Sequence, residues 1–222
     1  MTDILYRWPE AAKLGRRVAK EKIYEHGTLS TAVREKFIDE VQRITWAYKL
    51  AKATINLPGT SAVPEIQVFT IDAKTDDVSE AVLSAIDKAI PFPIIFEIAR
   101  QHAEQREARM VAALKQLGTG TPKLSAYYST GWQRRGISRQ ALPTAITLPA
   151  LYTALLQPLT PITARPGEEM SDVVDQLAAV RTFEREIAAL ERKLRTEPQL
   201  NRKVELRRAL KAKEHELTEL IK

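Results

Sequence analysis

Apolar positions at steps of three and four mark the first regular element of the chain. In STAVREKFIDEVQRITWAYKLAK, residues 30–52, the positions Val33, Phe37, Val41, Ile44 and Tyr48 share one face. This spacing predicts one continuous helix, with Ser30 or Thr31 capping its first amides. The thirty residues before it read as irregular and basic. TINLPGTSAVPE then interrupts, since Pro58, Gly59 and Pro64 each oppose regular structure. EIQVFTIDA is rich in β-branched and aromatic residues and predicts a strand. DVSEAVLSAIDKAI predicts a helix with Val78, Val82, Ile86 and Ala89 inward, and PFPIIFEIAR a strand buried on both faces. Strand, helix and strand in that order form one crossover unit, so the two strands should be parallel neighbours.

EARMVAALKQL carries helix-favouring alanines, but its place before GTGTP and the strand-like KLSAYYST predicts a hairpin of two strands. LPALYTALLQPLTP predicts a short helix, opened by Pro149 and stopped by Pro158. TPITARPGEE follows as a linker. Beyond it the pattern changes: from Ser171 to Lys222 there is no glycine, and Pro198 is the only proline. Val173, Leu177 and Val180, then Phe183, Ile187, Leu190 and Leu194, step by three and four. Leu206, Leu210, Leu217 and Leu220 do so after Pro198. This predicts two helices of about 22 residues, each about 33 Å long, folding back at RTEPQ with Thr196 or Glu197 as the second helix's cap. A single long helix kinked at Pro198 would fit the same pattern. The expected architecture is α+β: a small mixed β-sheet core with flanking helices over residues 1–165, then an antiparallel helical hairpin, a coiled-coil arm, over 166–222.

Charge changes the picture most within that hairpin. The whole chain of 222 residues has a formal net charge of +6. Arg192 to Lys213 alone hold nine Lys/Arg against two acids, Glu197 and Glu205, for a net of +7. If the chain folds back at RTEPQ, Arg192, Lys193 and Arg195 meet Arg202, Lys203, Arg207 and Arg208 at one tip, while Glu214, Glu216 and Glu219 return to the base. Such a tip is either the solvated face of a helix pair or a surface for anions, of which phosphate backbones are the commonest. No aromatic residue interleaves with these cations, so the tip would read charge and shape and not base sequence. A lesser cluster, STGWQRRGISR, places Trp132 beside Arg134, Arg135 and Arg139 in a loop. It reads as a tryptophan anchored on the core or as a nucleotide-stacking site.

Composition narrows the chemistry. With 44% hydrophobic and 28% charged residues the chain resembles a folded globular protein. It has no cysteine, so disulfides, thiol catalysis and cysteine-ligated zinc are excluded. His26, His102 and His215 are too dispersed to form a helical metal-ligand pair, and no cofactor motif is present. The N-terminus lacks a secretory pattern and no long apolar run exists, which leads to the expectation of a cytoplasmic protein without a membrane span. A magnesium nuclease would need paired carboxylates and a lysine; Glu65, Asp72, Lys74 and Glu97 are the candidates. Gln67 stands where such a motif would place lysine after Glu65, and Asp72 with Lys74 also suits a strand exit. Neither a GxSxG elbow nor a GxxxxGK[ST] loop occurs. The chemistry points away from an enzyme.

Several segments resemble a bacterial family of uncharacterised proteins, domain of unknown function 4391. They are LYRWP at 5–9, TINLP at 54–58, VPEIQVF at 63–69, KAIPFPIIFEI at 88–98, ARPGE at 164–168 and NRKVELRRALK at 201–211. The resemblance implies a small accessory component of restriction-like or phage-defence systems, working beside a helicase or a DNA methyltransferase. It supplies no catalytic residues. The expectation is a non-enzymatic subunit whose basic tip contacts nucleic-acid phosphate, duplex DNA foremost and without sequence preference. A pure protein-interaction module and a metal-dependent nuclease are the alternatives.

Overall fold

The computed structural model describes residues 4–26, 29–117, 122–134, 136–160 and 170–221. Its contacts divide the chain into two compact units, Met1–Leu159 and Thr160–Lys222. The boundary expected at 165/166 lies outside the described residues.

The first unit is built on a mixed sheet of seven strands: β1 (Lys13–Val18), β2 (Val41–Leu50), β3 (Ile66–Ala73), β4 (Ile94–His102), β5 (Gln105–Gln116), β6 (Lys123–Ser129) and the short β7 (Gln133–Arg134). The first six lie in chain order across the sheet, and β7 pairs with β5. Every pairing is antiparallel except β3 with β4. That exception is the expected crossover, made through a helix that returns the chain to the same end of the sheet. The hairpin of β5 with β6 is also as expected.

Helices α1 (Lys20–His26), α2 (Thr31–Glu40) and the crossover helix α4 (Glu80–Ala89) enclose one core. Ile23, Phe37, Val82 and Ile86 pack there on Ile44, Phe69, Ile71, Phe96 and Ile98 of the sheet. Side chains alternate along a strand, so Thr70 and Asp72 of β3 and Glu97 and Ala99 of β4 belong to the opposite face. A short helix, α3 (Lys52–Ile55), follows β2, and α5 (Leu148–Leu156) opens on Thr147, whose hydroxyl accepts from the amide of Ala150.

Two expectations are corrected. The first thirty residues are not irregular: they hold β1 and α1, and Gly15 takes a φ of 62° at the register shift between Lys13 and Arg16. That left-handed conformation suits glycine and makes a bulge inside the strand. The long helix over residues 30–52 is also wrong in its second half. It starts on Ser30, which accepts from the amide of Val33, but ends at Glu40 and continues directly as β2. Buried positions in β2 are Val41, Ile44, Ala47 and Leu50, a period of three. Register shifts at Val41/Arg43 and Trp46/Tyr48 interrupt the pairing to β3, and each such bulge breaks the two-residue alternation of an ideal strand. The resulting spacing imitates a helix.

The second unit is a hairpin of α6 (Met170–Thr196) and α7 (Leu200–Ile221), packed on each other. Lys213 pairs with Glu186 at 3.2 Å and its ammonium lies 4.9 Å from the Phe183 ring, which fixes the antiparallel sense. The helices therefore fold back and do not form one kinked helix. Pro198 stands in the turn ahead of α7, not in its first turn, and Glu197 accepts from the amide of Gln199. No residue of α7 is fully buried. Among the described residues, no helix is long and apolar enough to cross a membrane.

Candidate functional site

The seven tip residues fall within the last turn and a half of α6 and the first half of α7. Arg192, Lys193, Arg195, Arg202, Arg207 and Arg208 are exposed and Lys203 is half-buried. The stems of such side chains cover helix surface while their charged heads stay in water. None of the seven takes part in an ion pair among the described residues. Lys213, further down α7, pairs with both Glu186 at 3.2 Å and Glu216 at 2.9 Å. The difference follows from composition: the tip offers Glu197 and Glu205 alone, and Glu197 is occupied by the turn amide of Gln199. A concentrated, unneutralised positive surface results.

The nuclease candidates do not converge. Glu65 is buried, paired with Lys49 at 2.6 Å, and accepts from Gln67 Nε2 at 2.6 Å. Asp72 is paired with Arg43 at 2.7 Å and with Arg106. Glu97 accepts from the Trp8 indole at 2.6 Å and from both terminal nitrogens of Arg139, at 2.7 and 3.0 Å. The three carboxylates thus answer different cations: Lys49 for Glu65, Arg43 and Arg106 for Asp72, and Arg139 for Glu97. Lys74 donates to the Ile38 carbonyl at 2.6 Å, which satisfies the end of α2. Among the described residues, no group of three His, Asp or Glu could hold a metal. The Glu97 set is a clamp: it fastens residues 6–8 and the loop around Arg139 to β4, and Arg139 also donates to the Tyr6 carbonyl at 2.7 Å. The neighbouring carboxylate raises the Arg139 pKa, so this cation is firmly charged. LYRWP and FEI, two of the segments that carry the family resemblance, meet here.

Trp132 does not form a stacking site with its loop neighbours. Its ring lies under Arg100 at 3.9 Å and Arg109 at 5.0 Å, and it packs against the core. Arg139 is engaged at Glu97, Arg134 is exposed on β7, and Arg135 lies outside the described residues.

Two constellations escape sequence reasoning. One is a buried ion pair, Lys115 with Asp87 at 2.7 Å, in which both side chains are at most 1% exposed. Lys115 also donates to the carbonyls of Asp87, Ile90 and Phe92 at 2.7–2.9 Å, and the Tyr127 hydroxyl donates to Asp87 at 2.6 Å. Burial pushes the Asp87 carboxyl up and the Lys115 ammonium down, while their mutual attraction opposes both shifts. With acceptors on every side the lysine is held as a full three-proton donor. This network ties the end of α4 to β5 and is closed to solvent. The other is an arginine-lined cleft around Asp72, assembled from residues 17 to 106. No local motif could announce it, because its arginines come from strands far apart in sequence.

No curated protein and no solved structure matches the chain. A family model, described as Domain of unknown function (DUF4391), matches residues 7–217, nearly its whole length, and the protein belongs to that family.

Proposed function

We propose that the protein is a non-enzymatic binding subunit of a DNA-processing or defence system, contacting nucleic-acid phosphate through the tip of its C-terminal hairpin. The observation that carries this reading is the lack of any ion pair at seven clustered cations among the described residues, where Lys213 on the same hairpin has two acidic partners. A helix pair that used its charges for solubility and pairing would balance them along its length. Here the balance fails at one end, and like charges at that density repel until an anion intervenes. Guanidinium forks match phosphate oxygens, and their binding releases counterions from the duplex. Recognition would follow the backbone, with little preference among sequences. A helicase or DNA methyltransferase, the setting implied by the family resemblance, would supply catalysis and dock on the first unit.

A second reading, an interaction module that pairs with a partner's helices, has its own support. Leu200 and Val204 on α7 are 73% and 40% exposed, and α7 buries no residue fully. One pair of variants separates the two. Replacing Arg192, Arg195, Arg202 and Arg207 by Glu should weaken duplex binding at least about a hundredfold at low salt and flatten its salt dependence, with helicity unchanged. Replacing Leu200 and Val204 by Gln should leave that binding intact. Unchanged affinity in the charge-reversed protein, with loss in the Leu200/Val204 variant, would transfer the function to the apolar face.

A further inference from the structure

The carboxyl ends of the parallel strands β3 and β4 open into a cleft of about 420 Å³, lined among others by Arg17, Gln42, Arg43, Asp72, Gln101 and Arg106. Asp72 is its floor, 8% exposed. One carboxylate oxygen accepts from Nε of Arg43 at 2.7 Å, with Nη2 also 2.7 Å away, and the other accepts from Arg106. A single buried carboxylate therefore holds two guanidiniums in fixed poses, although their side chains remain 53% and 39% exposed. Arg17 reaches the same cleft from β1 and has no ion pair among the described residues. Arg100 also lines it but is neutralised by Glu107 at 2.8 Å. Three guanidiniums against one carboxylate leave a concave site with an excess of two positive charges.

That excess selects the ligand. A guanidinium carries five N–H donors, and Arg43 and Arg106 spend only some of theirs on Asp72. The planar forks fit tetrahedral phosphate oxygens, and Gln42 and Gln101 add neutral donors. A phosphodiester brings one negative charge, whereas a phosphomonoester brings nearly two at neutral pH. The volume accepts a ligand of mononucleotide size. We infer that this cleft binds a phosphomonoester dianion, presented by a free nucleotide or by the 5′-phosphate end of a nucleic-acid strand. The inference is independent of the hairpin tip, since none of its residues comes from α6 or α7.

The test uses the full chain carrying the four tip reversals, so that backbone binding does not obscure the cleft. Calorimetric titration with adenosine 5′-monophosphate should give binding, and titration with adenosine should give none. Arg17→Gln, which breaks no ion pair among the described residues, should weaken the nucleotide about tenfold or more while leaving the melting temperature unchanged. Arg106→Gln should weaken the nucleotide likewise, with a lower melting temperature because it removes one partner of Asp72; if it unfolds the protein, Arg17→Gln alone carries the comparison. A 5′-phosphorylated oligonucleotide that binds more tightly than the nucleotide, and more tightly than its 5′-hydroxyl counterpart, assigns the strand end; equal or weaker binding assigns the free nucleotide. Equal binding of adenosine and its monophosphate, an unaffected Arg17→Gln variant, or no phosphate-dependent binding of either ligand would overturn the proposal. Because the tip is already reversed, none of these results bears on the hairpin.

Discussion

Lys115 shows how much of the fold rests on single polar residues inside it. Its ammonium meets Asp87 and three carbonyls in a solvent-free pocket at the end of α4. Removing one member of a buried pair strands the other, which costs far more than the pair contributes. Lys115→Met should therefore destabilise the protein by about 3–5 kcal/mol in urea unfolding. Adding Asp87→Leu should recover part of that loss, because the uncompensated carboxylate is gone. A loss below about 1 kcal/mol for the single variant would mean that Asp87 finds another partner. Nothing near AALKQL distinguishes this lysine from a solvated one at a strand end. Its partners lie more than twenty residues earlier, and burial is decided by the sheet as a whole. Glu97 was more legible: a carboxylate within the apolar run PIIFEI requires a partner. The sequence did not disclose that the partners are Trp8 and Arg139 and the role is a structural clamp.

At the scale of elements, the passage from α2 into β2 is the instructive failure. No glycine or proline separates them, yet the helix stops at Glu40. Lys20 donates to the carbonyls of Phe37 and Val41 at 2.5 and 2.6 Å, Lys74 Nζ donates to that of Ile38, and the Lys74 amide donates to the Glu40 carbonyl at 2.8 Å. The last carbonyls of the helix thus find donors from outside it, and the chain is free to turn into a strand. Such a stop signal is tertiary and leaves no local trace. Lys20→Met should cost about 1–2 kcal/mol and speed amide exchange at the end of α2, whereas Lys22→Met, at an exposed position, should do neither. Equal exchange in both variants would remove the capping role. The bulges of β2 hid the strand in the same way, by turning a two-residue alternation into a three-residue one. Where no bulge intervenes, as in β3 and β4, the apolar pattern along the sequence and the strand coincide.

For the whole molecule, legibility depends on how far apart in sequence a feature is gathered. The basic tip lies within about twenty residues and a turn, so charge counting finds it. The Asp72 cleft draws on five strands and becomes visible once the sheet sets them side by side. The two features give the protein two positive surfaces of different shape: an open helical tip, proposed to contact a polyanion's backbone, and a concave site, proposed to hold one compact dianion. The proposed contact with nucleic acid rests on the first. The direct measurement is equilibrium binding of the unmodified protein to a short fluorescent duplex between about 50 and 200 mM salt, where four to seven phosphate contacts produce a loss of about 10²- to 10⁴-fold. If most of the seven tip cations meet phosphate, log affinity should fall against log salt with a slope between about −4 and −6, alike for unrelated sequences. Absence of binding at 50 mM salt, or binding with a slope near zero, would contradict the account.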